Sequence, residues 1–263
     1  MTEVRFTHIG GPTVLIEFGG WRLLTDPTFD PPGRTYSFGW GTSSRKLTGP
    51  AVRAADLPQV DAVLLSHVHH GDNLDDAGRA LLPAAGTIVT TSSGARSLPW
   101  PARGLRAGQR TRLEAPGRPP IDITATPCRH GPPLSRPIVG EVTGFSLTWP
   151  GQTHGPLWIT GDTVYHRALR RAAAAIRPGT VLLHLGGVGF PLTGPLHYTM
   201  TARQAVRLCR TITPRTVLPV HYEGWQHFRQ GRDGIEHDLL RAPKQIRGLF
   251  HWLPAGSAEQ VRV

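Results

Sequence analysis

A histidine-rich run over residues 66–73, Ser-His-Val-His-His-Gly-Asp-Asn, holds the residue types that bind catalytic metal ions. His67 and His69 are two residues apart at the end of an apolar segment typical of a strand, so both rings can point to the same side. Asp72 follows at a turn that Gly71 makes easy. Nitrogen and carboxylate ligands without thiolates suit zinc, or manganese or iron. The histidine run therefore predicts a metal-dependent enzyme.

Three further candidate ligands, His130, Asp162 and His221, each end an apolar segment elsewhere in the chain. Strand ends gathered along one edge of a layered scaffold build sites from residues that are distant in sequence. Together with the histidine run, these three residues indicate a metal site rather than isolated core or turn residues. Water activated by a metal needs no serine or cysteine nucleophile, and the sequence holds no convincing catalytic triad.

The elements that must position these residues are short strands, followed by alternating strands and helices. We predict an antiparallel meander over 4–8, 13–18 and 21–25, and buried strands over 60–66, 87–91, 121–126, 144–149, 157–160, 181–185 and 216–220. Helices are predicted over 72–82, 164–176 and 201–209, with a long binding loop over 29–50. Two packed sheets with helices outside them form an αββα sandwich, an α/β (α+β) fold, and one domain over 1–263 is the simplest interpretation.

The composition is that of a globular chain, with 39% hydrophobic residues, 31 glycines and 25 prolines in 263 residues. The net charge of +11 comes almost entirely from arginine, because only Lys46 and Lys244 are lysines. This charge could attract an anionic partner. The arginines are dispersed, however, without a basic block or interleaved aromatic residues, which disfavours nucleic acid.

Other features of the sequence concern its location in the cell. No apolar run reaches the roughly 18 residues needed to cross a membrane, and the first residues do not resemble a secretory leader. Two cysteines, Cys128 and Cys209, cannot build a disulfide framework. We therefore expect a cytoplasmic protein, whose oligomeric state the sequence does not indicate.

On these motifs the chain resembles the metallo-β-lactamase-fold superfamily. The matching stretches occur in the family's order, at residues 23–27, 61–69, 126–130, 161–163 and 219–221. Within the superfamily the chain is most similar to the branch that contains L-ascorbate 6-phosphate lactonase and the phospholipase D that cleaves N-acylphosphatidylethanolamines. The resemblance implies a four-layer sandwich and a hydrolase that uses a metal-activated water.

The resemblance also implies roles for the candidate ligands. His67, His69 and His130 would hold the first metal ion. Asp162 would bridge to a second ion, which Asp72 and His221 complete. The expected cofactor is one or two zinc ions, with manganese or iron as alternatives. Asp26 would orient a ligand histidine.

The histidine run departs from the family pattern His-x-His-x-Asp-His. It has one extra residue, and Asn73 stands where a histidine normally binds the second metal. An asparagine oxygen is a weaker and harder ligand than imidazole. The second site is therefore expected to be weaker, to prefer manganese or iron, to use His70 instead, or to be missing altogether.

Some polar residues are candidates for direct action on a substrate. Asp72 and His184, which lies near the end of the strand over 181–185, are the candidate catalytic residues. Arg129, His197 and Tyr198 are candidates for substrate binding, and Arg129 could bind an anionic group.

The favoured function is hydrolysis of a small ester, lactone or phosphoester, with an anionic substrate as one option. A nuclease acting on RNA or DNA and an iron-dependent redox enzyme are the alternatives on the same fold. A non-catalytic scaffold with a vestigial site is disfavoured, because most of the expected ligands are present.

Overall fold

The computed structural model describes residues 3–263, which form fifteen β-strands and seven α-helices. The strands are β1 (Glu3–Gly10), β2 (Thr13–Phe18), β3 (Trp21–Thr25), β4 (Thr35–Gly39), β5 (Thr42–Arg45), β6 (Ala62–Leu64), β7 (Thr87–Thr91), β8 (Arg103–Leu105), β9 (Arg110–Leu113), β10 (Ile121–Pro127), β11 (Thr143–Thr148), β12 (Leu157–Ile159), β13 (Thr180–His184), β14 (Thr216–Val220) and β15 (Ala258–Arg262). The helices are α1 (Asp76–Leu81), α2 (Ser92–Ser97), α3 (Arg136–Val139), α4 (Arg167–Ile176), α5 (Ala202–Ile212), α6 (Arg232–Leu240) and α7 (Lys244–Arg247).

Two large sheets contain most of the strands. The first has the order β15-β1-β2-β3-β6-β7-β8 and the second the order β14-β13-β12-β11-β10-β9. In the first sheet β3, β6, β7 and β8 run parallel, and in the second β12, β13 and β14 do so. The other neighbours within these sheets pair antiparallel, including the meander of β1, β2 and β3.

Three apolar clusters separate the layers of the molecule. The central cluster packs residues of both sheets against each other, among them Phe6 and Leu23 of the first and Phe145 of the second. A second cluster joins the outer face of β12, β13 and β14 to α4, α5, α6 and α7, and a third covers the outer face of the first sheet. This layering confirms the predicted αββα sandwich.

The loop predicted over 29–50 contains a hairpin, formed by β4 and β5. Tyr36 and Phe38 are buried while their neighbours in β4 are exposed, which is the alternation of a half-buried strand. Gly39 and Gly41 adopt positive φ at its turn, where glycine is at no steric disadvantage. The serine-, glycine- and threonine-rich composition conceals this pattern in the sequence.

The helix predicted over 72–82 is shorter than expected. It begins at Asp76 because the Asp75 side chain accepts a hydrogen bond from Gly78 N–H and caps it. Residues 71–74 form turns instead, which keeps Asp72 at the end of the histidine run rather than on a helix. The sequence patterns also do not predict α2, α3, α6, α7, β8, β9 and β15.

Within residues 3–263, every helix is too short or too polar to cross a bilayer.

Candidate metal centre

The candidate ligands lie where strands of both sheets end. Asp26 follows β3, the histidine run follows β6, Asp162 follows β12 and His221 follows β14. His184 is the last residue of β13. Because the strands are parallel within each of these groups, their carboxyl ends lie side by side. The topology therefore gathers residues that are far apart in sequence.

Three histidine rings converge in one half of this centre. Nε2 of His67 lies 3.0 Å from Nδ1 of His70, and the same Nδ1 lies 3.2 Å from Nε2 of His130. Nδ1 of His130 donates to the carbonyl oxygen of Tyr198 at 2.9 Å, so its Nε2 lone pair faces the other rings. Burial lowers the pKa of all three histidines, which favours the neutral form that binds metals.

The other half of the centre is rich in carboxylates. Nε2 of His221 lies 3.4 Å from Oδ2 of Asp72 and 3.5 Å from Oδ2 of Asp162. Atoms of these three residues that could bind a metal all lie within 4.8 Å of one another, and the same holds for His67, His130 and Asp162. Asp162 belongs to both groups, which is the position that a bridging carboxylate needs.

His227 also belongs to this half, although it is not among the ligands expected from the sequence. Its Nε2 lies 3.2 Å from Oδ2 of Asp72. Its ring stacks on Trp225, with an interplanar angle of 10°, and Phe38 meets it edge-on. His227 sits in a turn rather than at a strand end, so the reasoning that finds His221 misses it. In the sequence, its position six residues after His221 is the feature that could have identified it as a candidate ligand.

Asn73 contacts both carboxylates of the centre. In the amide orientation that satisfies both of its ends, Nδ2 donates to Oδ2 of Asp162 at 3.2 Å and to Oδ1 of Asp72 at 3.1 Å, while Oδ1 accepts from the hydroxyl of Ser66 at 3.3 Å. An amide that donates to a carboxylate orients it without neutralising its charge. In this arrangement Asn73 positions the acidic residues and directs its oxygen away from them.

Opposite charges shift the pKa values in the carboxylate half. Burial disfavours the imidazolium form of His221, but Asp162 and Asp72 outweigh it and raise the pKa to about 9. Burial raises the pKa of Asp162 to about 6, although His221 and His130 attract its charge. Burial also acts on Asp72, but the neighbouring rings of His221 and His227 hold its pKa well below the usual value.

Several buried polar atoms in this half have no hydrogen-bond partner among residues 3–263. They are Oδ1 of Asp162 and both ring nitrogens of His221 and His227. Such atoms are rare in folded proteins, because each costs roughly 1–3 kcal/mol. Imidazoles and carboxylates with unused lone pairs form a donor set that suits zinc, manganese or iron. The described residues therefore fit a bound metal.

His184 and Asp26 form a buried pair beside the ligands. Nε2 of His184 lies 3.4 Å from Oδ2 of Asp26, and the ring centroid of His184 lies 5.7 Å from that of His221. Oδ1 of Asp26 accepts from the N–H of Ser66 at 2.6 Å, which ties the end of β3 to the histidine run. Asp26 and His221 have φ of 30° and 57°, a region that costs non-glycine residues roughly 1–3 kcal/mol. Such strain persists where the surrounding contacts enforce it.

His69 and His70 occupy different surroundings. His69 is exposed, and its Nε2 contacts the carbonyl oxygen of Val139 at 2.5 Å, although one of its ring nitrogens lies within 4.8 Å of those of His67 and His70. His70 is buried against His67 and His130. The extra residue in the histidine run thus brings His70 into the ring cluster.

A cavity of about 250 Å³ opens onto the centre, with His70, Asp72 and His130 among its lining residues. Of the residues predicted to bind substrate, Tyr198 lines this cavity. Arg129 lines a different groove, and His197 hydrogen-bonds Gln204 at 2.8 Å. His184 is fully buried and lies outside the cavity lining.

Known proteins resemble this chain in sequence. A metal-dependent hydrolase of Pyrococcus abyssi is 26% identical over 185 residues, which cover 68% of this chain and 75% of the relative. A metal-dependent hydrolase of Pyrococcus furiosus is 25% identical over 84% of this chain and 86% of its own length.

Solved structures share the fold. An isothiocyanate hydrolase from Delia radicum gut bacteria superposes with a TM-score of 0.79 at 21% identity, covering 97% of this chain and 98% of that one. A diiron β-hydroxylase from Streptomyces venezuelae superposes with a TM-score of 0.68 at 15% identity, covering all of this chain and 54% of that one.

The family comparison covers most of the centre described above. Residues 21–222 match the model of the β-lactamase superfamily domain. This stretch includes Asp26, the histidine run, His130, Asp162 and His221, while His227 lies just beyond it. The chain therefore belongs to the β-lactamase superfamily.

Proposed function

We propose that this protein is a metal-dependent hydrolase that cleaves a small ester, lactone or phosphoester. The observation that carries the proposal is the set of buried histidine and aspartate atoms that lack partners within residues 3–263. The metal-dependent hydrolases of Pyrococcus support it, since their sequences match along most of this chain. The narrower likeness to lactonases and phospholipases, and a cytoplasmic location, remain predictions from the sequence.

The ligands divide between two positions. His67, His70 and His130 would hold one ion, and Asp162 would lie between it and a second. Asp72, His221 and His227 would complete the second position, where His227 supplies the imidazole that Asn73 does not. Zinc is the favoured metal, with manganese or iron as alternatives. A bound ion would act as a Lewis acid on the scissile group and lower the pKa of a water molecule.

Residues around the ligands would fix their orientation. The carbonyl of Tyr198 holds His130 with its Nε2 toward the centre. Ser66, whose hydroxyl lies 2.9 Å from Nδ1 of His67, does the same for that ring. The amide of Asn73 holds Asp72 and Asp162. Such partners keep the ligands in place before substrate binds, so less reorganisation accompanies the reaction.

Metal content and hydrolysis test the proposal together. The purified protein should contain at least one zinc, manganese or iron ion per chain by mass spectrometry. It should hydrolyse members of a panel of p-nitrophenyl esters, lactones and bis-p-nitrophenyl phosphate, and lose this activity on chelation. Asp162→Ala should lower the rate by about a thousandfold or more, which corresponds to about 4 kcal/mol of transition-state stabilisation.

The control is Asp233→Ala, which removes an exposed carboxylate at the start of α6 and should change neither metal content nor rate. Protein that carries no stoichiometric metal, or hydrolysis that survives chelation, would contradict the proposal. Reaction with dioxygen and a reductant at a bound iron pair, without hydrolysis of the panel, would favour a redox enzyme instead.

A further inference from the structure

The cavity that opens onto the metal centre has an apolar wall. The tip of the β4–β5 hairpin contributes Phe38 and Trp40, and the loop after β13 contributes Val188, Phe190 and Leu192. Phe38 and Phe190 pack against each other, with ring centroids 5.5 Å apart. His70, Asp72 and His130 of the metal centre line the same cavity. An occupant would therefore contact the metal-ligand residues and an apolar, largely aromatic surface.

Arginine side chains line a neighbouring groove rather than this cavity. This groove shares His130 and Val139 with the cavity and is lined by four arginines: Arg96, Arg106, Arg129 and Arg136. Among residues 3–263, no arginine or lysine lines the apolar cavity. Arg229, which lies near its wall, donates to the carbonyl of Phe190 at 2.8 Å. An anionic group inside the cavity would therefore lose water without gaining a cationic side chain.

The mouth of the cavity is also apolar. Trp40 is 75% exposed and Leu192 is 69% exposed, an unusual degree for side chains of this size. The cavity volume of about 250 Å³ lies below the roughly 300–1,000 Å³ of pockets that bury drug-sized ligands. Its size admits a short chain or a single ring.

From this lining we infer that the cavity binds the uncharged, apolar portion of a small substrate, with the scissile group held beside His70, Asp72 and His130. The inference rests on the proposed function for the position of the scissile group. It departs from the expectation of an anionic substrate that the net charge suggests. A hydrocarbon chain or ring is favoured here because its burial releases water from the aromatic wall.

Two inhibitors that differ only at the tail test this inference. Hexanohydroxamic acid and adipic acid monohydroxamate share a metal-binding head and chain length, but the second ends in a carboxylate in place of a methyl group. Isothermal titration of the metal-loaded protein should give at least about tenfold tighter binding of the first, because the carboxylate has no cationic partner in the cavity. Equal binding, or tighter binding of the carboxylate, would overturn the inference.

A pair of exposed leucines provides matched variants. Leu192→Arg places a cation at the cavity mouth and should reduce the preference for the uncharged tail severalfold. Leu240→Arg adds the same charge on α6, at a leucine that is 66% exposed, and should leave the preference unchanged. If both variants leave it unchanged, the tail does not lie along this wall and the inference is wrong.

The proposed function and the inference about the cavity can fail separately. Protein without stoichiometric metal would contradict that proposal alone, and the cavity is then tested with n-hexanol and 6-hydroxyhexanoate, which differ in the same way. Tighter binding of n-hexanol, sensitive to Leu192→Arg, would still support the apolar cavity. Absence of any measurable binding of n-hexanol would overturn it.

Discussion

Asp72 and Asp75 are close in sequence but belong to two different buried polar clusters. The clusters differ in how their polar groups are satisfied. The Asp75 cluster is satisfied by protein groups: Asp75 forms an ion pair with Lys46 at 2.7 Å and accepts from the N–H groups of Phe29, Asp30 and Gly78. The Asp162 cluster comprises Asp72, Asp162, His221 and His227, and it contains polar atoms without hydrogen-bond partners among the described residues.

Burial alone does not distinguish these clusters, since Asp75 and Asp162 are both almost fully buried. The distinction lies in how each charge is balanced. Asp75 has its own cation and three amide donors, so it fastens the base of the hairpin and the start of α1 into one unit. Asp162 shares its surroundings with Asp72, and burial raises its pKa to about 6. In the Asp75 cluster, protein groups balance the buried charge. The Asp162 cluster instead has ligand atoms suited to binding a metal cation.

Breaking the Asp75 cluster should have the largest effect on stability. Lys46→Met removes the cation and leaves Asp75 buried, which should lower the free energy of unfolding by about 3–5 kcal/mol. Urea denaturation of the metal-loaded protein measures this loss. The metal content of the folded variant should stay unchanged, because Lys46 is not part of the Asp162 cluster.

The matched control removes the cation of an exposed pair. Arg53 and Asp56 lie on the surface, with side chains 80% and 47% exposed, and solvent screens their interaction. Arg53→Met should leave the denaturation midpoint within experimental error of the original. If Lys46→Met has as small an effect as Arg53→Met, the Asp75 cluster is not the structural anchor that its contacts indicate.

Within the metal centre, the neighbouring histidines His69 and His70 should differ in their effect on metal affinity. Nδ1 of His70 lies 3.0 Å from His67 and 3.2 Å from His130. His70→Ala should weaken metal binding by more than about 100-fold, which exceeds the usual effect of losing a residue that only orients a ligand. His69→Ala removes an exposed ring that contacts a backbone carbonyl, and should have a much smaller effect. Competition with a fluorescent chelator measures both constants. If His69→Ala causes the greater loss of metal affinity, the first ion is held by His67, His69 and His130, as the family pattern implies.

The strand ends could be predicted because their signal is local. The strands over 13–18, 21–25, 87–91 and 216–220 have the predicted bounds, since each is an apolar or alternating segment between turn residues. The residues that follow such strands, including Asp162 and His221, are therefore identifiable without a structure. The sandwich follows from the same pattern, because strands buried on both faces need layers on each side.

Other parts of the centre could not be predicted, because they depend on contacts between distant segments. His227 lies in a turn, and only the folded chain shows that it contacts Asp72. The choice between His69 and His70 depends on how the extra residue in the histidine run is accommodated. The hairpin that forms one cavity wall has a composition typical of a loop, and its burial comes from packing against Trp225.

The smallest expected effect concerns His184, at the border of the Asp162 cluster. Because it is buried beside Asp26 and outside the cavity lining, we expect it to position ligands rather than to contact substrate. His184→Asn should lower metal affinity by roughly 10–100-fold. With saturating metal, much of the hydrolytic rate should return, whereas His251→Asn, at an exposed site, should leave both quantities unchanged.

The two roles for His184 predict different kinetics. A positioning residue acts through the metal, so its loss changes the metal concentration needed for half-maximal rate more than the rate at saturation. A catalytic residue, as the sequence suggests, would instead lower kcat at saturating metal and leave metal affinity intact. Because Oδ2 of Asp26 lies 3.4 Å from Nε2 of His184, Asp26→Asn should reproduce the effect of His184→Asn. A double variant no worse than either single variant would then show that the two residues act as one unit.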